Sequence, residues 1–177
     1  MPQAARTYTD YRSSLLLCLE EECAGEAFFA ALAERHEGRE RQALLLMAQI
    51  ERAMTEALRP LVERHRLTPA PVAALHADGA REARALQAIA WRDFLEHMAR
   101  DYPAYLGEFE AIARLGPAED QEVFQLLLDH EVAFIDFAER DLAGDPDSHR
   151  ALESFLGRAV ERTAATAGGL CINMTLE

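Results

Sequence analysis

The sequence has only three cysteines, Cys18, Cys23 and Cys171, and no Cys-x-x-Cys pair. Cys18 and Cys23 stand five apart on one predicted helix, which is poor geometry for a bridge. Reduced thiols in a cytoplasmic protein are therefore expected. Breakers are also few: seven prolines and nine glycines in 177 residues. Ala, Leu, Glu and Arg dominate instead, the composition of an all-helical chain. Strand signals, internal repeats and low-complexity segments are absent. Positive charge is scarce, with 18 Lys and Arg against 31 Asp and Glu, a formal charge of −13. A surface that acidic repels phosphate backbones and anionic lipid, so neither nucleic acid nor a membrane is an expected partner. No apolar run approaches the ~20 residues needed to span a bilayer. The opening "MPQAARTYTDYRSS" lacks the apolar segment of a secretory leader, and none is expected.

The remaining pattern predicts helices. The first runs over 10–36 and is broken by "HEGRE" at Gly38; the second runs over 39–65, with Pro60 expected to kink it or loosen its last turn. So short a connection makes the two antiparallel neighbours. "RLTPAPVAALHADG" reads as a crossover, with Asp78 as N-cap of a third helix over 79–115 that bends near Pro103. "LGPAED" ends it and begins a fourth helix that runs to 142. A last helix is expected over 147–167, then a tail, 168–177. The predicted fold is all-α: one domain over 1–177, a four-helix bundle (10–145) with one long crossover plus a C-terminal helix.

Several polar residues fall on apolar stripes. Glu26 lies among Cys23, Phe29 and Ala30, and Glu51 among Met47, Ala48, Met54 and Leu58. A buried carboxylate costs several kcal/mol unless it is paired or metal-bound. Counted along each helix, both lie roughly 15–18 Å from the same turn, so the hairpin should bring them face to face. "LLLDHEVAFIDFAER" (126–140) places His130 on a third apolar stripe, over Leu126, Leu127, Ala133, Phe134 and Phe137. Glu131, one position off that line, is expected to turn towards solvent or an arginine. His97 sits on the flank of the stripe Trp91, Phe94, Leu95, Met98 and Tyr102. His36, His65, His76 and His149 read as surface or capping groups.

"AGEAFFAALAE" (24–34), "AQIERAM" (48–54), "DYPAYLGEFEAIAR" (101–114) and "FQLLLDHEVAFIDFAERDLAGD" (124–145) resemble the rubrerythrin branch of the ferritin-like superfamily. The similarity covers roughly residues 15–145. It implies a bundle whose inward carboxylates and histidines hold two irons, which when reduced react with peroxide or dioxygen. Carried over position by position, the ligand set is incomplete. Glu26 matches the first-helix ligand, Glu51 the glutamate of the second and His130 the histidine of the fourth. Met54, Leu127 and Phe94 stand where further ligands belong, and His97 is a substitute on the third helix. Glu22, one turn before Glu26, is expected to surround the ligands together with Met54, Leu127 and Phe94.

Two ions ~3.5–4 Å apart need shared carboxylates to offset their charge, and two carboxylates fall short. A complete di-iron centre is therefore not expected. Two functions remain. In one, the metal centre has decayed and the bundle serves as a structural or partner-binding scaffold with no cofactor. In the other, Glu26, Glu51, His130 and His97 hold one transition-metal ion, Fe, Mn or Zn, with possible oxidase or peroxidase chemistry. The expected partner is a second copy of the chain, forming a homodimer. Without a cysteine-rich electron-transfer module in these residues, redox turnover would need an external electron donor.

Overall fold

A computed structural model describes residues 8–86 and 88–170, with side chains to residue 162. The chain is all-α, with no strand among the described residues. Its helices are α1 Tyr11–Ala33, α2 Gly38–Arg64, α3 Val72–Ala85, α4 Trp91–Asp101, α5 Pro103–Leu115, α6 Gln121–Leu142 and α7 Arg150–Leu170. One 3-10 turn, Ala118–Asp120, leads into α6.

The first hairpin follows the expected bounds within a few residues. Asp10 caps α1 by accepting a hydrogen bond from Ser13 N at 2.9 Å, which satisfies one of the donors left over at a helix start. Pro60 lies on the exposed side of α2, and the helix continues past it to Arg64.

The expected third helix over 79–115 is instead three helices. α3 starts at Val72, inside the segment expected to be a crossover. Pro71 ends the extended stretch with φ −57°, and the alanine-rich sequence behind it propagates as helix. Asp78 is therefore not a cap; it lies inside α3, ion-paired with Arg81. Gly79 lies inside α3 as well. A Cβ there would overlap the carbonyl oxygen of Ala24, so α3 crosses α1 backbone against backbone. α4 begins only at Trp91, and Pro103 at the first turn of α5 marks the expected bend. The last helix begins at Arg150, and positions 168–170 of the expected tail continue it as helix. The rest of the tail, with Cys171, lies outside the described residues.

α1 has α2 on one side and α3 on the other, α6 is flanked by α4 and α5, and α7 packs against both α2 and α6. Leu15, Leu32, Leu44, Met47, Ile50 and Leu58 meet Phe124, Phe134, Phe137 and Phe155 in one continuous core. Each such side chain contributes about 1.5–3 kcal/mol by leaving water. Met54, Leu127 and Phe94 are fully buried in this core. Cys18 and Cys23 are buried, and neither is in a disulfide.

Two polar ties fix the helix ends. Fully buried Asp120 accepts hydrogen bonds from Tyr11 Oη at 2.5 Å and His65 Nε2 at 3.0 Å, and pairs with Arg64 at 2.8 Å. It joins the start of α1, the end of α2 and the start of α6. At the other end of α6, Asp141 accepts from Trp91 Nε1 at 3.0 Å and from Ser148 Oγ at 2.8 Å. His65 thus serves as a terminal group, as expected, and His36 pairs with Glu40 at 2.7 Å. His149 departs from expectation: it is buried against Phe137, with ring centroids 5.6 Å apart. No helix among the described residues is long and apolar enough to cross a membrane.

Candidate metal centre

Glu22 on α1, Glu51 on α2 and His130 on α6 are all buried. Each offers one ligand atom, and these atoms lie within 4.8 Å of one another. Glu131 completes the cluster. His130 Nε2 stands 3.7 Å from Glu22 Oε2 and 3.6 Å from Glu131 Oε1. Among the described residues this is the one group of His, Cys, Asp or Glu so arranged.

Local sequence explains the convergence. Leu15, Cys18, Glu22, Phe29 and Leu32 are buried at alternating three- and four-residue steps, with Gly25 at the step between Glu22 and Phe29. Gly25 has no side chain to fill its position, and Glu51 occupies that space. A Cβ on Gly25 would lie 2.8 Å from the Glu51 carboxyl carbon and from Oε2. The glycine thus lets the α2 carboxylate come level with Glu22. On α6, His130 is walled by rings: Phe134 edge-on at 5.3 Å, Phe109 at 6.0 Å and Phe155 at 6.3 Å.

Burial dominates the electrostatics. It raises Glu22 well above the carboxylate range, and the charge of Glu51 adds to this. A hydrogen bond between the Glu22 and Glu51 carboxyls raises Glu22 further. Glu51 is pushed up to about 8 by burial, against the opposing effect of that shared hydrogen bond. Glu131 is raised by burial and then by Glu22, and Tyr102 beside the cluster is raised by burial and then by Glu131 and Glu51. His130 is lowered by burial to about 4, with a weaker upward pull from the Leu127 carbonyl. Burial thus favours the uncharged forms throughout the cluster, protonated carboxyls and a neutral imidazole. Yet Glu22 Oε2, Glu131 Oε2 and His130 Nδ1 are buried without a well-formed hydrogen bond. Each such orphan costs ~1–3 kcal/mol.

The sequence-predicted residues are only partly brought together. Glu51 and His130 meet as expected. Their partner on α1 is Glu22, one turn earlier than Glu26. Glu26 is a quarter exposed and faces α3, 3.8 Å from His76 Nε2. His76 itself lies inside α3, with its side chain 40% exposed. The cause is the register of the hairpin: Gly25, not Glu26, lies opposite Glu51. His97 lines the same cavity but stands outside the cluster. It is 40% exposed and paired with Asp101 at 2.7 Å. Glu131 turns inward, contrary to expectation, because its carboxylate approaches His130 rather than an arginine.

A cavity of about 530 Å³ opens from the cluster to the surface, past Glu82 and Ala85 on α3 and His97 on α4. The donor chemistry fits a divalent transition ion: hard carboxylates plus one neutral imidazole, with buried oxygens still unpartnered. Neither a protein-family model, nor a curated protein, nor a solved structure matches this chain.

Proposed function

We propose that the chain is a ferritin-like protein that holds one transition-metal ion, Fe, Mn or Zn, on Glu22, Glu51 and His130, with Glu131 alongside. The observation that carries this reading is the unpartnered state of buried Glu22 Oε2 and Glu131 Oε2 around an imidazole. A cation is the partner that carboxylates in such a place lack. The likeness to the rubrerythrin branch supports the same reading, with α1, α2, the α4–α5 pair and α6 as the four bundle elements and α3 within the crossover. The proposed site differs from that likeness on α1, where Glu22 replaces Glu26.

A single ion fits better than two. Glu22, Glu51 and Glu131 supply three carboxylates, still short of the charge on two divalent ions, and Met54, Leu127 and Phe94 are fully buried hydrocarbon. When bound, the ion would supply redox or Lewis-acid chemistry. The chain's own residues would orient it, shield it from water with Phe109, Phe134 and Phe155, and release protons from Glu22 and Glu51 as it enters. Redox turnover would need an external electron donor.

The same three hydrocarbon residues favour a second reading, a scaffold whose metal centre has decayed. In it, Glu22, Glu51, Glu131 and His130 form a proton-sharing core network, and function lies in a surface that pairs two copies of the chain. Elemental analysis of protein from metal-replete cells separates the two. Close to one ion per chain, lost in Glu22→Gln and His130→Ala but kept in Glu26→Ala, supports the metal site. Metal-free protein whose melting temperature ignores Fe²⁺, Mn²⁺ and Zn²⁺ supports the scaffold and overturns the metal reading.

A further inference from the structure

The cavity that leads to the cluster has walls of two kinds. Its carboxylates are Glu22, Glu51 and Glu131 at the inner end, with Glu21 and Glu82 nearer the surface. The same walls hold rings: Phe28 edge-on to Phe29 at 5.1 Å, Tyr102 edge-on to Tyr105 at 5.5 Å, and Phe109. No lysine or arginine is among the lining residues, and the one base apart from His130 is His97, paired with Asp101. The volume, about 530 Å³, lies within the ~300–1,000 Å³ common for small-molecule sites.

We infer that this cavity takes a small organic cation, a protonated amine with an aromatic or short aliphatic body. The argument is by exclusion and by fit. A carboxylate or phosphate ligand would meet a wall of glutamates that holds no lysine or arginine. A neutral apolar molecule would use the rings but leave the buried oxygens of Glu22 and Glu131 unpartnered. An inorganic ion alone would satisfy those oxygens but has no use for the aromatic walls or for the remaining volume. An ammonium group on an apolar body uses all three features. Its positive head pairs with the inner carboxyls as they give up a proton, and its body displaces water from Phe28, Phe109 and Tyr105. The proposed metal site touches this inference only at its inner end. If an ion occupies Glu22 and Glu51, then Glu131 and Glu82 remain for the ammonium group.

The test is equilibrium binding of three probes of matched size, phenethylamine, phenethyl alcohol and hydrocinnamate. It is measured by ligand-observed NMR on the full chain, first metal-free and then after addition of Mn²⁺. The amine should bind roughly tenfold tighter than the alcohol, and hydrocinnamate should not bind. Glu82→Gln, an exposed change remote from the cluster, should weaken the amine several-fold and leave the alcohol unchanged. In Mn²⁺-loaded protein the amine's proton signals should broaden, because the ligand then lies beside a paramagnetic ion. Equal binding of amine and alcohol, or no binding of the amine, overturns the inference. Amine selectivity in a chain that retains no metal would leave it standing and sink the metal site alone. Metal retention without amine selectivity would do the reverse.

Discussion

Gly25 of α1 and Glu51 of α2 meet so closely that a single methyl group on the glycine would lie 2.8 Å from the glutamate's carboxyl carbon. The atom in the way is the tip of a side chain, not backbone, so the fold can absorb an alanine by moving Glu51. Gly25→Ala should therefore lower the melting temperature little, since helix propensity favours Ala over Gly by ~1 kcal/mol. The same change should swing the Glu51 carboxylate away from Glu22 and His130 and cut Mn²⁺ or Zn²⁺ affinity by roughly tenfold or more. Isothermal titration of the variant against the parent chain checks this, and equal affinity in the two would count against Glu51 as a ligand.

The metal-free chain should lose stability as pH rises above neutrality. Glu51 has a folded pKa of about 8 against an ordinary 4.5. A raised carboxyl contributes stability that is complete below its unfolded pKa and is lost as pH rises through the folded value. His130, lowered to about 4 from 6.5, works the other way: its contribution is present above 6.5 and lost as pH falls. Between 6.5 and 8 only the carboxyls act. The unfolding free energy should then fall with pH by about 1.4 kcal/mol per unit for each proton that the folded state holds in excess. Urea titrations across that window measure the slope. Glu51→Gln should reduce it by about one proton, and a slope unchanged by that variant would mean that Glu51 is not held protonated.

The hairpin was legible in the sequence because "HEGRE" leaves almost no length for a connection, so α1 and α2 had to be antiparallel. Glu51 and His130 were legible because each is one acid or base within a long apolar stripe. Glu22 was expected beside the ligands but not among them, because Glu26, one turn on, took its place on the apolar stripe of the first helix. The clue lay in Gly25: a residue without a side chain, three positions on, marks where a neighbouring carboxylate comes close. Glu131 was misjudged because helical phase alone turns it off the apolar line, whereas burial by α1 and α2 holds it against His130. α3 was hidden by its two flanking prolines, Pro69 and Pro71. They read as a link, although a proline just before a helix is a normal way to start one.

Gly79 provides the strongest test of how α3 sits. The obstacle to a Cβ there is the Ala24 carbonyl, and backbone cannot step aside as a side-chain tip can. Gly79→Ala should push α3 off α1 and destabilise the chain by about 1–3 kcal/mol, despite the gain in helix propensity. The mouth of the cavity should loosen with it, because Glu82 and Ala85 lie on the same helix. Denaturant unfolding gives the first quantity, and amide exchange across α3 gives the second. A variant as stable as the parent, with α3 equally protected, would show that the close crossing is wrong.

Asp120 tests whether the ends of the helices are held independently of the centre. It is fully buried and binds Tyr11 at the start of α1 together with Arg64 and His65 at the end of α2. Asp120→Asn keeps the shape but removes the charge that Arg64 answers and turns one acceptor into a donor. Breaking a buried ion pair by neutralising one partner costs ~3–5 kcal/mol. Arg64 is 45% exposed and recovers part of its hydration, so a loss of about 2 kcal/mol is expected. None of the four residues lines the cavity or belongs to the Glu22–Glu51–His130 cluster. Metal content should therefore be unchanged at temperatures where the variant is folded. Loss of metal together with stability would instead mean that the tie at Asp120 sets the register on which the cluster depends.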